Sequence, residues 1–182
     1  MGEFAHGVML AGAVAGTGAT FARGRGVRAL DAATTVAMLA AMLDALFTHA
    51  VSPLAWAVVL VIAGLAIGVR ARRDRHRRDS PDRAPDLPLA DLHHGLALIA
   101  TGWLLVGADH GGGSVAATHA HALPLAAAHL VIVLPVLVLG AWVSVHAIRT
   151  GTERLGHGAA AASMTVMLAA MAAPALVTAR GG

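Results

Sequence analysis

The 182-residue chain contains no cysteine, no lysine and no tyrosine, and only 3% of it is aromatic. Each absence removes a class of function. Without thiols there are no disulfides, thiolate metal sites, cysteine nucleophiles or iron-sulfur clusters. The chain also lacks a glycine-rich phosphate loop, an HExxH pair and a GxSxG elbow, so it is not read as an enzyme. Charge is scarce as well, with 13% charged residues against 57% apolar ones.

What is present in quantity is apolar sequence long enough to cross a bilayer. Six stretches, near residues 4–21, 31–49, 52–69, 93–109, 123–147 and 158–178, each have roughly the 17–25 residues that span a ~30 Å hydrocarbon core as helix. They are continuously rich in Ala, Leu and Gly rather than alternating, which argues against barrel strands. The expected fold is therefore an all-α polytopic transmembrane bundle of six helices, a single domain over 1–182. The first stretch, HGVMLAGAVAGTGATFA, carries four glycines; if it only lies on the bundle, five spans fit the same pattern. Glu3 and the lack of a basic residue before it disfavour a cleaved signal peptide.

Arginine sets the expected orientation. Arg23, Arg25 and Arg28 follow the first stretch, Arg70, Arg72, Arg73, Arg75, Arg77, Arg78 and Arg83 the third, and Arg149 and Arg154 the fifth, leaving Arg180 alone on the other side. The positive-inside bias puts those three loops in the cytoplasm and both termini outside, with the bilayer itself as the first partner. VRARRDRHRRDSPDRAP belongs to a basic cytoplasmic loop over 70–90 that would touch anionic headgroups. It has no aromatic residue for base stacking, so nucleic acid is not an expected partner.

Against this background the eleven histidines stand out. Six fall on the outer side, His6, His49, His110, His119, His121 and His129, with Asp44 and Asp109; His76, His93, His94, His146 and His157 fall on the inner side, with Asp31, Asp91 and Glu153. Asp109 and His110 end the fourth stretch and the HAH of His119 and His121 precedes the fifth, so all four are expected at one mouth of the bundle. Pro124 suits a first helical turn, which sets His129 about one and a half turns deeper. Asp44 lies within the second stretch, where an ionisable residue is a functional candidate by default.

Methionine adds a second pattern. Met38, Met42 and His49 are spaced to share one helical face, as are His157, Met164 and Met171, with Met167 beside them. Imidazole and thioether without thiolate is a ligand set that suits copper, and imidazole with aspartate also suits zinc or nickel. Methionine in a helix also serves as plain apolar filler. Haem would need two histidines on facing helices at one depth, and no regular pair of that kind is present. A further regularity is the interval of 63 residues relating Asp31, His94 and His157, and likewise Met38, Thr101 and Met164. Three helical hairpins descended from one unit would produce it.

The helix starts LDAATTVAMLAAML, LHHGLALIATGW and LGHGAAAASMTVMLAAM resemble those of the uncharacterised small multi-span membrane proteins of actinobacteria, a domain-of-unknown-function family. That resemblance implies a bacterial plasma-membrane location and no known activity. HALPLAAAHLVIVLPVLVLGAW is faintly similar to the nickel-carrier pattern, although His121 is separated from Pro124 and Ala128 stands where that pattern has an aspartate. The expected function is binding or handling of a transition metal, copper first, at the outer mouth. His110, His119, His121 and His129 would be the ligands and Asp109, Asp44 and His49 their neighbours. The alternative is a structural or accessory subunit of a larger membrane complex, packed through Ala and Gly faces.

Overall fold

The computed structural model describes residues 2–22, 29–76, 87–111, 119–150 and 155–180, with side chains for 7–22, 29–74, 89–107, 131–150, 156 and 158–173. These residues form an all-helical bundle: α1 (Gly2–Phe21), α2 (Ala29–Leu43), α3 (Pro53–His76), α4 (Leu87–Gly111), α5 (His119–Thr150) and α6 (Leu155–Arg180). A π-helical turn, Asp44–Thr48, extends α2. Six helices therefore stand where six apolar stretches predicted them.

Four segments are long and apolar enough to cross a membrane, Ala29–Thr48, Pro53–Asp74, Leu89–Gly107 and Val131–Thr150. Gly7–Phe21 and Gly158–Ala173 are shorter apolar helices among the described residues. The outward faces carry the same message. On α5, Val131, Leu134, Val138, Trp142 and Val145 recur every three or four residues and are all exposed, as are Leu54, Val58, Ile62, Leu65 and Val69 on α3. Apolar stripes turned outward suit hydrocarbon as solvent.

α3 packs chiefly on α4, and α6 sits between α1 and α5. The tightest crossing joins α3 to α4 at Gly64 and Gly95, where a Cβ on Gly64 would lie 2.5 Å from the Gly95 carbonyl oxygen. Only glycine allows backbones this close. The apolar core contains Met38, Met42, Leu60, Leu98, Met164, Met167 and Leu168, with Met171 packed against it. Both methionine stripes thus converge on one buried cluster.

Several boundaries differ from the sequence reading. The basic loop expected over 70–90 is helical at both edges, because α3 runs on to His76 and α4 starts at Leu87. Arginine is a good helix former, so the span continues past the apolar run. α5 begins at His119, which moves Pro124 beyond the first turn. His49 leaves the Met38 and Met42 face, because the helix widens to a π-turn and ends before it.

Candidate functional site

The two ends of the bundle carry different polar groups. At one end Asp44 is buried, and its carboxylate organises the α2 to α3 turn. Oδ1 accepts from the Thr48 hydroxyl and from the Ala50 N–H (2.8 Å), and Oδ2 accepts from the Val51 N–H (3.1 Å) and from Trp56 Nε1–H (2.8 Å). All four acceptor positions of the carboxylate are filled. His49 caps this turn in the left-handed region at φ 49°, its N–H donating to the Asp44 carbonyl, while its side chain is exposed. An aspartate at that depth does have partners, as membrane burial requires.

The side chains of Asp109, His110, His119, His121 and His129 lie outside the described residues; their backbones end α4 and begin α5. Among the described residues no group of three His, Asp or Glu could hold a metal ion.

At the opposite end Arg70 of α3 reaches across to two other helices. Its Nη1 lies 2.6 Å from Asp31 Oδ1 on α2 and its Nη2 lies 3.6 Å from Asp91 Oδ1 on α4. The Nη1 contact is an ion pair set off the line of a hydrogen bond, and the buried Nε–H has no acceptor among the described residues. The side chains of Asp31 and Asp91 are 20% and 31% exposed, so the pair of carboxylates forms a mouth rather than a sealed core. Behind it a cavity of about 30 Å³ is lined by Asp31, Arg70, Asp91, His93, His94 and Met164 among others. That is room for roughly two ordered waters.

His94 reaches towards α2, with Nε2 3.4 Å from the Thr34 hydroxyl. His93 lies deeper and is only 1% exposed. Its ring packs where α5 has no side chain: a Cβ on Gly140 would fall 2.5 Å from His93 Cε1 and would collide with the Thr165 hydroxyl. The Val136 and Ala161 carbonyls approach the ring, but neither closes an aligned hydrogen bond, and both ring nitrogens are without a partner among the described residues. A buried imidazole in that state is costly unless something in the cavity satisfies it.

By sequence, Asp31, Asp91, His93 and His94 share one side of the membrane, but the denser group of histidines lies on the other, and Arg70 looks like one more topology-setting arginine. Two signals pointed to the site: Arg70 falls at the apolar end of its arginine run, and the 63-residue interval brings Asp31 and His94 to one pocket, with Met164 of the companion series beside them.

Comparison of the chain with protein-family models, with curated proteins and with solved structures finds no match.

Proposed function

We propose that the chain is an integral protein of the bacterial plasma membrane that binds and exchanges a small cation at the pocket around Arg70, on the side that the arginine bias assigns to the cytoplasm. The observation that carries this reading is the buried His93, unpartnered among the described residues, beside a cavity that also holds two carboxylates and a single guanidinium. With neutral imidazoles those groups leave one negative charge, and a cation of about the size of a water molecule fits both the charge and the space. Membrane-embedded ionisable clusters of this kind mark ion and proton paths.

A second reading rests on the methionines. Met38, Met42, Met164 and Met167 form one buried cluster, which sets soft thioether between the two polar ends. It favours handling of a transition metal, copper first and then zinc or nickel, with His110, His119, His121 and His129 as ligands at the outer mouth.

One set of measurements separates these readings. The purified protein is assayed for metal and haem, then reconstituted into vesicles under a membrane potential and tested for flux of protons, monovalent cations and copper, zinc or nickel ions. The pocket reading expects cation flux that collapses when Asp31 and Asp91 are both changed to Asn. Stoichiometric metal lost on His119→Ala with His121→Ala supports the second reading. No flux and no metal, with other membrane proteins copurifying, would instead make the chain an accessory subunit, and a Soret band would redirect the reading to haem.

A further inference from the structure

We propose that the cation taken up by this pocket is a proton and that its seat is the imidazole of His93. The inference rests on the pocket reading above and names its ligand. A neutral imidazole has one N–H and one lone pair. The carbonyls of Val136 on α5 and Ala161 on α6 both approach the ring, and both are acceptors. A neutral ring can satisfy one of them and sets its lone pair against the other, whereas an imidazolium donates to both. Val136 accepts one bond from its own helix and keeps a second lone pair for the ring, whereas Ala161 accepts from its own helix and from the Thr165 hydroxyl at 2.7 Å and offers the ring only a shared, three-centre contact.

Charge acts in the same direction. On α2 the group lining the pocket is Asp31, on α3 Arg70, and on α4 Asp91 and His94. Among the described residues α5 and α6 present only uncharged atoms here, from Val136, Gly140, Ala161, Met164 and Thr165; the side chain of His157 lies outside them. Two carboxylates against one guanidinium leave a single negative charge, which one imidazolium balances. An alkali ion would gain less, because sodium and potassium take oxygen ligands and the deepest donor here is nitrogen. The proton comes from the aqueous phase at the Asp31 and Asp91 mouth, crosses the water-sized cavity and bonds to a ring nitrogen; on release it returns along the same waters, so no other reactant is required.

The test is a histidine titration by NMR of the intact protein in nanodiscs, labelled with 15N-histidine and 13C-carbonyl leucine. Leu92–His93 is the sole Leu-His step in the chain, so this label marks His93 without any mutation. The expected result is a ring that converts between the doubly protonated and neutral forms across the pH range in which the fold is intact. In Asp91→Asn the midpoint moves to lower pH, because removing a negative charge disfavours the imidazolium. A His93 ring that stays a single neutral tautomer over that range overturns the proposal, as does a midpoint indifferent to both Asp31→Asn and Asp91→Asn. Metal or monovalent cation flux with a non-titrating His93 would defeat this inference and leave the pocket reading standing. A titrating His93 in vesicles that pass no cation would do the reverse.

Discussion

At the scale of single residues, the two ends of the bundle show what can be read from a sequence and what cannot. Asp44 is legible as an ionisable residue inside an apolar stretch, and the need for partners follows from that alone. That Trp56 is one of them depends on how the chain turns between α2 and α3, which residue types do not encode. Asp44→Asn is expected to fail as a rescue, because an amide nitrogen on the Oδ2 side would face the Val51 and Trp56 donors. Thermal unfolding in detergent should show Asp44→Asn nearly as destabilised as Asp44→Ala, with Trp56 emission shifted in both. Gly140 is a second case. Filling it with a methyl group drives a carbon into His93 and Thr165, and overpacking of this sort costs about 1–3 kcal/mol. Gly140→Ala should therefore lower stability by that amount and also displace the His93 ring signal, which a defect elsewhere in the core would not do.

At the scale of elements, apolar length located all six helices, since continuous hydrophobic runs leave a bilayer-embedded backbone little other choice. Their ends were misplaced where the helix outlasts the apolar run, as at Arg70 to His76, or where a side chain reshapes the backbone, as Asp44 does at the π-turn. Which helices touch is a further matter. The α3 to α4 crossing rests on Gly64 and Gly95, and nothing distinguishes these two from the many other glycines until the helices are in place. Gly64→Ala would gain about 1 kcal/mol of helix propensity. The 2.5 Å approach to the Gly95 carbonyl and 2.9 Å to Ile99 Cγ1 means something must shift, and separating the helices forfeits more than that gain. Net destabilisation of about 1–2 kcal/mol is expected, measured by steric-trap or denaturant unfolding in bicelles.

At the scale of the whole molecule, the absence of cysteine becomes an advantage, because single cysteines can be introduced without background. If the arginine bias sets the topology, Arg83→Cys in intact cells is shielded from a membrane-impermeant thiol reagent and Gly113→Cys reacts with it. The opposite pattern would invert the bundle and place the Arg70 pocket outside. Arg70 also ties three helices. With about a fifth of its side chain exposed, Arg70→Leu should cost about 1–2 kcal/mol, less than the ~3–5 kcal/mol of breaking a fully buried pair. The two polar ends also have a joint mechanical meaning. α2 touches α3 only sparingly along its length, yet it is pinned to α3 at Asp31 through Arg70 and at Asp44 through Trp56. Asp31 and Asp44 are 13 residues apart and Trp56 and Arg70 are 14, so the pins sit in matching register about 20 Å apart along antiparallel helices. Sliding α2 along α3 breaks both pins at once, and turning it about the line through them draws Met38 and Met42 out of the core and parts Thr34 from His94. α2 is keyed like a bolt in its socket: the two pins bar it from shifting along the pocket and its buried methionines bar it from turning beside it.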